Sequence, residues 1–129
     1  MQGLSRDGGE VSHARQLGLD VILCNKYDVN SYAAKLKKPF DCIVDPNVRS
    51  YSCCTPHFSE YMSVLLAALA PGGIVLTSKR GLAYLVPTST AELRALCPDW
   101  RVSANGNVVV MKPRLRFRLR GWLRGRSWQ

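Results

Sequence analysis

The chain has 129 residues and a mass of 14.4 kDa, which is enough for one domain with a packed core. Apolar residues make up 47% and charged residues 21%, and this balance excludes a wholly disordered chain. No apolar run is long enough to span a bilayer, and the first residues lack the cationic start and apolar core of a secretory signal. We therefore expect a globular, cytoplasmic protein.

The positive charge is concentrated at the carboxyl end of the chain. The formal net charge is +9, from 18 basic and 9 acidic residues. Residues 112–129 contain seven basic residues and no acid, which leaves eleven basic against nine acidic residues in residues 1–111. A nearly neutral body with a strongly basic end predicts a polyanionic partner for that end.

The basic tail, residues 114–129, is amphipathic in either regular conformation. As a strand it places arginines on one face and apolar residues on the other, and as a helix its apolar residues also share a face. Both forms suit nucleic acid, with bases stacked on aromatic rings, or an anionic membrane surface. A solvated tail without a partner is the alternative. The predicted contact residues are Arg114, Arg116, Phe117, Arg118, Arg120, Trp122 and Arg124.

The five cysteines indicate a reducing compartment rather than a disulfide framework. Cys24 and Cys42 lie inside apolar, strand-like runs, where we expect them to be small buried side chains. Cys53 and Cys54 stand close to His57, but they lack the usual two-residue spacer and no second cysteine pair completes a set of four ligands. The sequence therefore predicts no metal site.

The first third of the chain predicts two helices around one strand. Residues 1–8 are polar and glycine-rich and are expected to form a loop, with no strand before residue 9. Residues 10–17 can form a short helix that Gly18 ends. Residues 20–24 form an apolar run typical of a strand buried on both faces, and residues 30–38 can form a second short helix.

The middle of the chain alternates strands with a long amphipathic helix. Residues 40–44 form a strand that the turn formers of residues 45–47 end. Thr55 precedes a proline and opens a helix, which Pro-Gly-Gly at 71–73 is expected to end before a strand at 74–77. The apolar positions of this helix follow helical spacing at Phe58, Tyr61, Met62, Leu65, Leu66 and Leu69.

The last third predicts a capped helix and a hairpin. Ser89 and Glu92 form a capping box, and Asn105-Gly106-Asn107 separates two short strands. Strands that alternate with helices imply right-handed crossovers and a three-layer α/β fold, with a mostly parallel, Rossmann-like sheet and a terminal antiparallel hairpin. We expect residues 1–113 to form this domain and residues 114–129 to follow as the tail.

Two stretches resemble class I S-adenosylmethionine-dependent methyltransferases. Residues 40–45, FDCIVD, resemble the fourth strand of that family, and residues 66–76, LAALAPGGIVL, resemble its junction between a helix and the fifth strand. The closing hairpin is similar to its sixth and seventh strands. The resemblance covers residues 9–113 and implies S-adenosylmethionine as the cofactor, with methyl transfer promoted by proximity and orientation.

The chain departs from this family at its amino end. Members hold the methionine part of the cofactor with a glycine-rich loop after the first strand, and the ribose with an acid after the second. No GxGxG motif is present, Gly8 and Gly9 have no predicted strand in front of them, and Asp7 falls near the place of the ribose acid. We expect a truncated or degenerate domain, or one completed by another chain. The exposed edge of strand 20–24 or 40–45 is expected to be covered by a partner chain, by a second copy or by the segment of residues 1–18.

Strand ends supply the candidate site residues. The resemblance implies cofactor binding by Asp28, Asp45 and Asn47, because open α/β sheets bind ligands at the carboxyl ends of their strands. Asp45 and His57 are the candidate catalytic residues. The structural alternatives are a solvated loop or a helix cap for Asp28, a turn for Asp45 and Asn47, and a surface position for His57. The rival functions are a methyltransferase, a non-catalytic module that binds through its tail, and a subunit completed by another chain.

Overall fold

The computed structural model describes residues 1–49, 52–83 and 88–114. The chain divides into two compact units, Met1–Pro39 with Ser52–Ala68, and Phe40–Tyr51 with Leu69–Gln129. The first unit contains a sheet of two strands, and the second unit contains a sheet of four strands. Across the described ranges, none of the helices combines the length and the apolar character needed to cross a membrane.

The first unit opens with a parallel strand pair. Strand β1, Gln2–Ser5, pairs in parallel with β2, Asp20–Leu23, so that Gln2 lies opposite Asp20. The prediction that residues 1–8 form a loop is therefore wrong. Leu4 is the only large apolar residue of β1, and the strand is stabilised by its hydrogen bonds to β2 rather than by an apolar pattern of its own.

Helix α1, Gly8–Gln16, connects these two strands and confirms the predicted first helix. Asp7 is its N-cap, and its side chain accepts a hydrogen bond of 2.9 Å from the backbone N–H of Glu10. Gly18 has a φ of 78°, the left-handed conformation that ends many helices. The helix starts two residues before the predicted position because Asp7, rather than a later residue, caps it.

The helix predicted at residues 30–38 is wrong. Two short 3₁₀ turns, Val29–Ser31 and Ala33–Lys35, occupy this stretch, and Tyr32 lies buried between them. The residue before the first turn makes no side-chain capping hydrogen bond, and β-branched or small polar residues in the first turn favour helix weakly.

Helix α2, Thr55–Ala68, confirms the predicted amphipathic helix. Tyr61 packs edge-to-face against Tyr27 of the same unit, with ring centroids 5.4 Å apart and an interplanar angle of 75°. Four of the six predicted apolar positions are buried, at Phe58, Tyr61, Met62 and Leu65, together with Ala68. Leu66 is half-buried, and Leu69 lies in strand β4 rather than in the helix. Burial of this stripe is what fixes the helix within the first unit.

The four strands of the second unit are ordered β3-β4-β6-β5. Strand β3, Phe40–Val44, pairs in parallel with β4, Leu69–Ser78. Strands β5, Trp100–Asn105, and β6, Val108–Pro113, form an antiparallel hairpin, and β6 pairs with β4. The predicted hairpin is confirmed, and Gly106 in its turn has a φ of 58°. The predicted α/β class, parallel strands and terminal hairpin are confirmed.

The Pro-Gly-Gly stretch lies inside strand β4 and does not separate a helix from a later strand. Gly72 has a φ of 83°, and the register of β4 against β3 shifts between Phe40 and Cys42. A Cβ on Gly73 would lie 3.0 Å from the carbonyl oxygen of Phe40. The glycines therefore allow a bulge after which regular pairing continues, as Cys42 pairs with Ile74.

Strands β2 and β3 are less buried than the sequence predicts. Leu23 is 54% exposed and Val44 is 66% exposed. Cys24 is half-buried and Cys42 is exposed, so the expectation that both are buried cysteines is wrong. A buried parallel strand needs a neighbour on each edge, whereas among the described residues β3 pairs only with β4.

Two helices complete the second unit. Helix α3, Lys79–Leu82, was not predicted, because four residues are too few for a periodic pattern. Helix α4, Thr90–Leu96, confirms the predicted capping box, with both hydrogen bonds between Ser89 and Glu92 present. The fully buried core of this unit includes Val75, Leu82, Leu93, Val109 and Met111.

Gly81 provides a test of packing in the second unit. A Cβ at this position would overlap the backbone carbonyl of Pro46, which cannot move away as a side chain could. We predict that Gly81→Ala lowers the free energy of unfolding, measured in urea, by about 1–3 kcal/mol or more. Gly8→Ala is the matched control, because a Cβ there meets no atom within 4 Å. Equal stabilities of the two variants would contradict this packing.

Candidate functional site

The carboxyl ends of β1 and β2 lie side by side in the first unit. Because the strands are parallel, the two segments that follow them leave the sheet at the same edge. The backbone N–H of Cys24 donates to the carbonyl of Ser5 at 2.8 Å. This edge is where open α/β sheets bind ligands. The residues that follow the strands, 5–7 and 24–28, are the candidate binding site of this unit.

Asp7 closes the first of these strand ends. Its backbone N–H donates to the Ser5 hydroxyl at 3.1 Å, and that hydroxyl donates to the Glu10 carboxylate at 2.7 Å. Asp7 lies two residues after β1, and the ribose-binding position that the resemblance places near it stays a prediction. Its carboxylate is already bonded to the amino terminus of α1.

Asp28 lies five residues after β2, in the loop at the second strand end, and it is exposed. The 3₁₀ turn that follows it has no side-chain cap, and across residues 1–49, 52–83 and 88–114 no hydrogen bond to its carboxylate is found. Its backbone carbonyl accepts from the Ser31 hydroxyl at 2.7 Å. The helix-cap alternative for Asp28 is therefore wrong, whereas the exposed carboxylate agrees with the alternative of a solvated loop.

Three neighbouring residues that sequence reasoning did not single out shape the same strand end. The side chain of Asn25 accepts from the backbone N–H of Tyr27 at 3.1 Å, which tightens the loop. The ammonium group of Lys26 lies 5.2 Å from the ring centroid of Tyr27 and 5.4 Å from that of Tyr61. A lysine and two aromatic rings have no recognisable spacing in the sequence, because they meet only when α2 packs under the loop.

Asp45 and Asn47 belong to the second unit and form a turn at the end of β3. The Asp45 carboxylate accepts from the backbone N–H of Asn47 at 3.2 Å, and Ser78 donates from both its backbone N–H and its hydroxyl to the Pro46 carbonyl. These bonds tie the turn to the end of β4. Asp45 is buried, and the cofactor role expected for it and for Asn47 stays a prediction.

A surface cavity of about 340 Å³ lies beside this strand end, lined by Lys79, Leu82, Thr88, Ser89 and Thr90. The hydroxyl of Ser89 is committed to the cap of α4. Lys79 donates its backbone N–H to the Asn107 carbonyl, so the cavity wall is held by the hairpin turn. This cavity contains none of the predicted site residues.

His57 lies in the first turn of α2, next to the two adjacent cysteines. Its Nδ1 is 2.7 Å from the Cys53 sulfur and 3.2 Å from the Cys54 sulfur, and the two sulfurs are 3.6 Å apart. A hydrogen bond with Cys54 raises the pKa of the Cys53 thiol. The structure thus places the donor atoms of Cys53, Cys54 and His57 close together, although the spacing of these residues in the sequence predicts no metal site.

Only the start of the basic tail is described. The backbone N–H of Arg114 donates to the Asp99 carbonyl at 2.8 Å, and its Nε donates to the Trp100 carbonyl at 3.3 Å. These hydrogen bonds hold Arg114 against the start of β5, next to the last pair of the hairpin. The other predicted contact residues lie outside the described residues, namely Arg116, Phe117, Arg118, Arg120, Trp122 and Arg124.

Comparison with solved structures identifies the fold. The chain is similar to the N-methyltransferase NodS from Bradyrhizobium japonicum WM9, with 13% identity, a TM-score of 0.59 and coverage of 85% of this chain and 70% of NodS. It is also similar to the MycE methyltransferase of mycinamycin biosynthesis in complex with Mg and SAH, with 18% identity, a TM-score of 0.58 and coverage of 87% and 36%.

A third similar structure is the complex of DhpI with SAM and HEP, with 16% identity, a TM-score of 0.55 and coverage of 87% of this chain and 67% of DhpI. No protein-family model and no curated protein matches the sequence. The class I methyltransferase fold expected from residues 40–45 and 66–76 is confirmed. The chain spans only part of each of these three proteins, about a third of MycE.

The five cysteines differ in exposure, which predicts their reactivity. Cys97 is 3% exposed, and burial raises the pKa of its thiol to about 11. Because the thiolate is the attacking species, we predict that iodoacetamide near pH 8 modifies Cys97 at least about tenfold more slowly than the exposed Cys42 and Cys54. Peptide mass spectrometry over time measures the rates. The rates should become equal in urea, where the protein is unfolded. Equal rates in the native protein would contradict the burial of Cys97.

Proposed function

We propose that this chain is a methyltransferase-like protein whose own residues supply the adenosine side of an S-adenosylmethionine site. The observation that carries this proposal is the side-by-side ending of two parallel strands on Ser5–Asp7 and Cys24–Asp28. The fold supports the proposal because its strand ends are where ligands bind. Two of the similar structures are complexes with SAH or SAM.

Asp28 is the residue best placed to bind the adenine. Its exposed carboxylate can accept a hydrogen bond from an exocyclic amine, and it is not used as a helix cap. Asp7, by contrast, already accepts from the backbone of Glu10. Binding the ribose through Asp7 would therefore compete with the cap of α1.

The residues present fit only part of the cofactor. No GxGxG motif occurs in residues 1–129, and Gly8 and Gly9 open α1 without forming a loop between a strand and a helix that could cradle a carboxylate. When bound, S-adenosylmethionine supplies an activated methyl group, but this chain does not hold its methionine end. We propose that a partner chain or a second copy completes the site by pairing with the exposed edge of β3, at Cys42 and Val44.

The first test is a titration of the isolated chain with S-adenosylmethionine. We predict that calorimetry detects either no binding or binding weaker than the low-micromolar range, because the contacts to the methionine end of the cofactor are missing. At millimolar concentrations, amide chemical shifts should move at residues 5–10 and 24–28. Asp28→Asn should abolish the shifts at 24–28, and Asp99→Asn, an exposed aspartate of the second unit, should not.

Micromolar binding would show that other residues of the chain hold the methionine end. Shifts confined to residues 40–47 would move the adenosine site to the second unit. Shifts that Asp28→Asn leaves unchanged would remove that carboxylate from the site. Each of these results contradicts a different part of the proposal.

A second candidate function is polyanion binding by the basic tail, without catalysis. It is favoured by the seven basic residues and the absence of acids in residues 112–129. Binding of this kind releases counterions and therefore weakens steeply with salt. Nucleic acid is the preferred partner, because Gly121 and Gly125 weaken a continuous interfacial helix.

The test compares the full chain with a version that ends at Pro113. We predict that only the full chain binds single-stranded RNA, that binding falls between low and high salt, and that Phe117→Ala or Trp122→Ala each costs about 1–3 kcal/mol through lost stacking. Equal RNA binding by the two versions would refute a role for the tail. Binding to anionic vesicles with a blue shift of tryptophan fluorescence, and no RNA binding, would instead identify a membrane surface as the partner.

A further inference from the structure

Three side chains with sulfur or nitrogen donors meet at the amino end of α2. The donor atoms of Cys53, Cys54 and His57 all lie within 4.8 Å of one another, and all three residues are exposed. The backbone N–H of Phe58 donates to the Cys54 carbonyl, so Cys54 already belongs to the first helical turn. His57 stands three residues after Cys54, a spacing that brings side chains together on a helical turn, and Cys53 lies just before the helix.

The separations of these donors suit one face of a tetrahedral metal site. Zinc binds sulfur at about 2.3 Å and imidazole nitrogen at about 2.0–2.1 Å, so tetrahedral ligands lie about 3.8 Å apart for two sulfurs and about 3.5 Å for sulfur and nitrogen. The two sulfurs are 3.6 Å apart, which matches. The distances from Nδ1, 2.7 and 3.2 Å, need to open by less than about 1 Å.

The surroundings permit this adjustment. The three side chains are exposed, so the imidazole ring can rotate outward without disturbing packed neighbours. Helix α2 itself is anchored by its buried side chains, including Phe58 and Tyr61. Two thiolates also balance the charge of a divalent ion, so that the positive end of the helix dipole faces no uncompensated cation.

We propose that Cys53, Cys54 and His57 form a binding site for Zn²⁺, with a fourth coordination position open to water or to an external ligand. A three-ligand site with two thiolates, one imidazole and an open position is a recognised zinc arrangement. The two adjacent cysteines do not follow the usual spacing patterns, because the segment just before α2 holds both sulfurs beside the histidine of its first turn. This site is independent of the strand ends described above.

Cobalt is the spectroscopic probe for the site. We expect the reduced full-length chain to bind one equivalent of Co²⁺, with a thiolate charge-transfer band and the visible bands of tetrahedral cobalt, and Zn²⁺ to displace it. Cys53→Ser, Cys54→Ser and His57→Ala should each weaken Zn²⁺ binding by at least about tenfold, since losing a ligand costs no less than losing one of its supporting contacts. Circular dichroism should show unchanged folding, because the three positions are exposed.

Matched controls come from the same chain. Cys42→Ser removes another exposed thiol, and His13→Ala removes the only other histidine, so both should bind Co²⁺ as the unaltered chain does. The proposal is overturned if no charge-transfer band appears, if the controls lose the band as well, or if any of the three ligand variants keeps full affinity. The proposal is also overturned if the protein is isolated with a Cys53–Cys54 disulfide and binds no metal once that disulfide has been reduced.

Discussion

The pairing of strand edges is the constraint on which the rest of this structure depends. Backbone N–H and C=O groups at a strand edge need partners, and each parallel pair of this chain satisfies one edge of each strand. Strand β1 exists because it pairs with β2, and β3 pairs with β4 through a bulge that Gly72 and Gly73 allow. Within the described part of the chain the other edge of β3 has no strand beside it, and Val44 is 66% exposed there.

Local hydrogen bonding then decides which strand-end carboxylates are available to a ligand. Asp7 and Asp45 both follow strands, but a backbone N–H three or two residues later engages each of them. Asp28 follows a strand of the same kind, and the 3₁₀ turn after it leaves its carboxylate uncapped. The three strand-end aspartates thus differ in chemistry, because the hydrogen bonds formed by the backbone after each strand differ.

Helix α2 links the packing of the first unit to its sulfur chemistry. Its buried face fixes the direction in which its first turn points, and that turn holds His57 against two thiols. Cys97 shows the opposite case, because its burial in the second unit raises its pKa and removes it from solvent. Exposure thus separates the solvent-accessible thiols of Cys42, Cys53 and Cys54 from the buried thiol of Cys97.

The amino-acid sequence by itself determined the elements whose signal is local. The apolar spacing of α2, the capping box of α4, the hairpin around Gly106 and the methyltransferase-like fold of residues 40–76 could all be predicted. Only the tertiary structure decided what depends on distant residues. Strand β1 requires β2, the exposure of Cys42 depends on β3 having one paired edge among the described residues, and the sulfur–imidazole cluster depends on how α2 begins. The periodicity of apolar residues indicates the local conformation of one segment. Strand pairing and side-chain clusters arise only when separate segments meet.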